Sequence, residues 1–137
     1  MTLIERIFRL RLVAPFDRLG DADLALIAEA AVLRRYEPGR RIASRGKPAR
    51  ALFVTLEGGL VDGDGARLPD VLPLESLLLG SALSCDVLAS AKEGAVCLLF
   101  NKGHVFTILH ECPALTIGFV EGAREGGFNR RAPGGAT

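Results

Sequence analysis

The spacing of apolar positions changes twice along the chain. Leu3, Ile7 and Leu10, joined by Ile4 and Phe8, recur at helical intervals and predict an N-terminal amphipathic helix whose stripe is expected to be core rather than a membrane anchor. A turn-prone "APF" follows. Asp21 can then accept from the free amides of a new helix, and Leu24, Ile27, Ala28 and Ala31 supply its apolar positions. From Tyr36 the period shortens: "EPG", "RGKP", "EGG" and "DGDG" punctuate the segments "RRIAS", "ALFVTLE" and "GLV", which read as short antiparallel strands.

The strand signal resumes in "DVLPL", "SCDVLASA" and "GAVCLLF". In the second, Cys85, Val87, Ala89 and Ala91 fall on one face, and in the third Val96, Leu98 and Phe100 do. Helical spacing returns after Asn101, a capping residue, with Val105, Ile108, Leu109 and Cys112 until Pro113, which can itself begin a last helix through Leu115 and Phe119 to about Arg124. The expected architecture is α+β and mainly β: an antiparallel β-roll of jelly-roll type, flanked by N- and C-terminal helices, in one domain over 1–124. Residues 125–137, "EGGFNRRAPGGAT", read as a flexible tail.

With 137 residues, 49% of them hydrophobic and 24% charged, the chain can bury one core. A formal charge of +1 gives no overall field to attract nucleic acid or an anionic membrane. Arg6, Arg9 and Arg11 interrupt the first apolar run, unlike a signal peptide. No run reaches the roughly 20 apolar residues of a membrane span, so a cytoplasmic protein is expected. Cys85, Cys97 and Cys112 are odd in number, lie among apolar neighbours and suit reduced, buried thiols.

Catalytic and metal chemistry find little support in the residue pattern. "GRRIASRGKP" has the wrong glycine spacing for a phosphate loop, with Pro48 where a Mg²⁺-binding hydroxyl belongs. "DGDG" over Asp62 to Gly65 lacks the later ligands of a calcium loop and predicts a hairpin turn. His104 and His110 fall on a helix after the roll, too far apart to share a ligand face. No enzyme, cofactor or metal site is expected. The sharpest charge feature is Arg34 to Arg50, which holds Arg34, Arg35, Arg40, Arg41, Arg45, Lys47 and Arg50 against the single acid Glu37. Such a run is ordinarily a solvated face and otherwise a docking surface for an acidic protein partner. With no groove-entering element after the roll, DNA binding is not expected.

The stretch "RRYEPGRRIASRGKPARALFVTLEGGL", Arg34 to Leu60, resembles the cyclic nucleotide-binding domain family, which includes the effector domains of catabolite-activator-like regulators. An aromatic before "EPG", the apolar Ile42, the turn from Arg45 to Pro48 and "LFVTLEGGL" carry the likeness. With "APFDRLGDADLALIA" before and "FTILHECPAL" after, it spans roughly Leu10 to Val120. Gly39, Gly46, Gly58 and Gly59 supply the turns of a roll that folds back every few residues.

The resemblance implies a ligand cassette, a short helix and turn between two late strands, in "PLESLLLGSALSCDVLASA". Glu75 then falls where the family's glutamate accepts from a ribose hydroxyl. A helix N-terminal carboxylate held by local amides explains the same residue. Two positions depart from the family. Leu74 replaces the glycine before the glutamate, and Leu83 or Ser84 replaces the arginine that pairs with the cyclic phosphate. Ser76, Ser84 and Cys85 complete the candidate cassette. A buried phosphate without a cation loses a charge-assisted pair of about 1.5 to 3 kcal/mol, so the implied ligand is uncharged and partly apolar, or absent.

The functional expectation is therefore a stand-alone regulatory or sensor module with a degenerate phosphate cassette, responding to another small ligand in the roll or to a protein partner. Its alternatives are a genuine cyclic nucleotide binder whose cation comes from elsewhere and a ligand-free interaction module. Leu115, Gly118, Phe119 and Gly122 share a helical face and suggest the contact of a weak homodimer.

Overall fold

The computed structural model describes residues 1–124; the expected tail lies outside the described residues. Helix α1 (Leu3–Leu10) opens at Thr2, whose hydroxyl accepts the Glu5 amide at 3.2 Å. Its apolar stripe enters the core only in part: Leu10 is fully buried and Ile7 packs against the core, while Ile4 is 65% and Phe8 62% exposed. Arginines share the inward side with them. Arg6 donates to the carbonyls of Ala28 and Ala31 at 3.4 and 3.1 Å, and Arg9 reaches the Leu56 carbonyl at 3.5 Å. Arg6 thereby caps helix α2 (Asp21–Ala30), which has no basic residue in its own last turn. Asp21 is not the cap the sequence suggests; Gly20 holds that position, and the Asp21 carboxylate pairs with Arg11.

The chain leaves α2 as strand β1 (Val32–Tyr36), where the sequence pattern shows only helix and turn. Strands β2 (Arg41–Ala43), β3 (Ala51–Gly58), β4 (Leu60–Val61) and β5 (Val71–Leu72) follow, then helix α3 (Leu74–Leu79), β6 (Val87–Ala89) and β7 (Ala95–Asn101). One sheet has the order β1-β7-β3-β5 and the other β2-β6-β4, every pairing antiparallel. This is the mainly-β roll with flanking helices that the sequence predicts.

Strand β3 is buried on both faces over 52–56, which is why that stretch is apolar apart from Thr55. Leu52, Val54 and Leu56 face the helices with Leu98 and Phe100 of β7, whereas Phe53 faces the roll interior with Leu72, Ala95 and Cys97. Pairing of β3 with β7 slips between Thr55 and Glu57, a bulge next to a close backbone approach. Gly58 and Gly94 both have positive φ there, and a Cβ on Gly58 would strike the Gly94 carbonyl.

Asn101 caps α4 (Lys102–Glu111) by accepting the His104 amide at 2.8 Å, and Pro113 begins α5 (Pro113–Arg124), both at the expected positions. Leu115 and Phe119 are 1% and 3% exposed. The Phe119 ring meets Phe16 edge-on at 5.9 Å, Gly118 lies so close to Pro15 that a Cβ would overlap it, and Gly122 is buried. The face suggested for a homodimer is thus packed into the chain's own core, and α5 turns Ile117 and Val120 outward. Among the described residues no helix is long and apolar enough to cross a membrane.

Candidate functional site

Pro73 and helix α3 bend the chain between β5 and β6 and leave a cavity of about 440 Å³. Leu74, Glu75, Ser76, Leu83, Ser84 and Cys85 all line it, so the fold brings the whole candidate cassette together. The residues differ in what they offer. Leu74 is 8% exposed and packs into the helical core with Leu77. The Ser76 hydroxyl donates to the Ser81 carbonyl, so it closes the turn after α3 and is not held ready for a ligand. Glu75 is exposed in the first turn of α3 and Ser84 is exposed across the cavity.

Among the described residues, Glu75 is the only charged one lining this cavity. Of the two cations nearest in sequence, Arg67 is tied to the Asp70 carboxylate at 3.2 Å and the Gly58 carbonyl at 3.4 Å, and Lys92 sits in the turn before β7; neither lines the cavity. Cys85 is half-buried, and its thiol is pushed above its ordinary value by burial first and then by Asp62 and Asp86. It remains a protonated thiol at neutral pH rather than a nucleophile. Cys97 and Cys112 are buried. The Asp62 carboxylate accepts the amides of Asp64 and Ala66, each at 2.9 Å, which makes "DGDG" the expected hairpin turn. Among the described residues no three of His, Cys, Asp and Glu converge as metal ligands.

All seven cations of the basic run are exposed, as a solvated face requires. Arg40, Arg41, Lys47 and Arg50 line a second cavity of about 510 Å³, on the other side of the wall formed by Pro73, Leu83 and Val87, which the two cavities share. Tyr36, Phe53 and Leu99 line its interior. Among the described residues no Asp or Glu lines it. Burial raises the Tyr36 phenol above its ordinary value, Cys97 adds to the rise, and Arg34 and Arg40 oppose it, so the phenol stays protonated. Of the seven cations of the run, Arg34, Arg35 and Arg45 lie outside this lining. The sequence holds the four cations in plain view but not their convergence, which depends on how β2 pairs with β6 and the turn after β2 with the segment before β6.

No protein-family profile matches the sequence, and no curated protein matches it. Solved structures do. The regulatory domain of Toxoplasma gondii PKA with cAMP superposes with a TM-score of 0.74 at 14% identity, over 90% of this chain and 50% of that one. The Thermus thermophilus catabolite activator protein gives 0.68 at 17% identity, over 80% and 56%. The regulatory subunit of a cAMP-independent protein kinase A from Trypanosoma brucei gives 0.64 at 22% identity, over 84% and 45%. The chain spans about half the length of the solved structures it matches. At these identities the likeness is one of fold, and the fold is that of a cyclic nucleotide-binding domain.

Proposed function

We propose that this chain is a regulatory, non-enzymatic module of the cyclic nucleotide-binding fold whose cassette cavity takes an uncharged, partly apolar ligand in place of a cyclic nucleotide. The observation that carries the reading is the lining of the cassette cavity, in which Glu75 is the sole charged residue among those described. A cyclic phosphate entering there would lose its water and meet a carboxylate without a cation to offset either cost. Glu75 and Ser84 remain able to hydrogen-bond hydroxyl or amide groups of a neutral molecule, against the apolar surfaces of Val71, Leu72 and Val87.

Among the fold neighbours, the regulatory subunit of a kinase described as cAMP-independent supports a role for this fold without that nucleotide. Its variant with a glutamate-to-alanine, a threonine-to-arginine and a valine-to-alanine change is bound to cAMP. An added arginine there accompanies a bound cyclic nucleotide, and this chain has none lining its cassette cavity.

Exposed Arg34 and Arg35 on β1, an edge strand, favour a second reading in which the basic face meets an acidic segment of a protein partner. Thermal melting with a library of neutral metabolites, beside cyclic AMP and cyclic GMP, tests the main reading. A shift with a neutral compound that Glu75→Gln or Ser84→Ala abolishes is the expected result. Sub-micromolar binding of either cyclic nucleotide in titration calorimetry would overturn it.

A further inference from the structure

The two cavities on either side of Leu83 have opposite electrostatics. Among the described residues, the cassette side is lined by one carboxylate and no cation, the far side by four cations and no carboxylate. On that far side the cations are exposed and part of the apolar lining is buried. Arg40, Arg41, Lys47 and Arg50 stand in solvent, whereas Phe53, Leu83 and Val87 are 8%, 7% and 1% exposed. Arg41 has a distant partner, Asp86 at 3.8 Å, whose other oxygen accepts the Arg45 amide at 2.8 Å. Arg40, Lys47 and Arg50 have no ion-pair partner among the described residues. A solvated rim of one sign around a low-dielectric interior concentrates field at the mouth. The volume, about 510 Å³, lies within the range of ligand sites.

We propose that this cavity binds an amphipathic organic anion, an acidic headgroup on an apolar body, that enters body first. The body would lie between Phe53, Leu99 and the Leu83 wall, and the headgroup would meet the rim, where arginines offer forked donors to carboxylate and phosphate oxygens alike. Tyr36, protonated and within the lining, offers a further hydroxyl. The site does not depend on what the cassette cavity holds, because only the wall residues are common to both.

The protein carries its own reporter, since Tyr36 is its one tyrosine and it has no tryptophan. Tyrosine emission of the full chain would be followed during titration with octanoate, octyl phosphate, octanol, acetate and inorganic phosphate. Octanoate or octyl phosphate should change the emission saturably, the tighter of the two identifying the headgroup, and binding should weaken as salt is raised. Acetate and inorganic phosphate should do little, having charge without body. Combined Arg40→Gln, Lys47→Gln and Arg50→Gln should weaken binding roughly tenfold or more, and Lys92→Gln with Lys102→Gln, exposed cations elsewhere, should leave it unchanged. Octanol binding as tightly as octanoate would overturn the proposal, as would full affinity in the triple variant. Salt-sensitive binding of an acidic peptide with no response to either octyl anion would also overturn it and assign the rim to a protein partner.

Discussion

The amide of Leu83 donates to the carbonyl of Lys47 at 2.8 Å, and the amide of Gly46 returns the bond to the Leu83 carbonyl at 2.9 Å. The end of the cassette is thereby stitched to the basic turn, and Leu83 becomes a wall with its backbone fixed. Leu83→Ala would join two cavities across a site that cannot easily collapse. A loss of about 2 to 4 kcal/mol is expected, read as a lower urea midpoint at unchanged slope. An unshifted midpoint would mean that the wall is not packed.

Cyclic AMP and cyclic GMP should bind with dissociation constants of about 100 μM or weaker, because the lost phosphate pair is worth one to two decades. Restoring a cation separates the two candidate positions. Ser84 is exposed at the cavity, so Ser84→Arg should gain roughly tenfold for cyclic AMP in titration calorimetry. Leu83→Arg would bury its charge in the wall and should lower stability first. Leu74→Gly alone should gain less than Ser84→Arg and should lower stability, since Leu74 belongs to the helical core. Equal gains from Leu74→Gly and Ser84→Arg would show that the charge is not the main defect.

Gly118 distinguishes an internal seat for α5 from a subunit contact. Alanine there improves helix propensity by about 1 kcal/mol, but its Cβ would meet Pro15 within the same chain. Overpacking should win, with a net loss of about 1 to 2 kcal/mol that does not depend on protein concentration. Denaturation at two concentrations, with light scattering to give the mass, checks it. A loss that appears only together with a fall in mass would return Gly118 to an interface.

Alkaline pH should destabilise the fold. Burial is the first cause that raises Cys85, Cys112 and Tyr36 above their ordinary values of 9.0, 9.0 and 10.0, with nearby acids adding to the rise in both cysteines. Each group holds its proton more tightly folded than unfolded. Their contribution is therefore fully present below about pH 9 and is lost as pH rises through the raised folded values. Urea midpoints from pH 7 to pH 11 should fall over the upper part of that range, and Cys112→Ala should shallow the fall. A midpoint that is flat or rises above pH 9 would contradict this sign.

Local chemistry made much of the fold legible. Asn101 reads as a cap and is one, Pro113 opens a helix, and "DGDG" closes on its own Asp62, because each depends on groups within a few residues. The cassette residues were legible as a group only through the likeness to the family's short helix and turn, and the structure places all six around one cavity. Strand β1 was not legible. "VLRRY" continues a helical stretch in sequence, and only its pairing with β7, Val32 opposite Leu99 through Tyr36 opposite Ala95, makes it a strand.

What the sequence by itself determined was therefore the period of each element, its turns and caps, and which residue types stand side by side. What only the tertiary structure decided was where each face points. Helical spacing groups Leu115, Gly118, Phe119 and Gly122 but cannot say that Phe16 and Pro15 cover them. It groups Ile4 and Phe8 but cannot say that Arg6 takes the inward side to reach the end of α2. Seven cations between Arg34 and Arg50 give no sign that four of them line one cavity. The physical reason is common to all three cases: periodicity follows from the geometry of one element, whereas facing is settled by contacts between elements far apart in the chain.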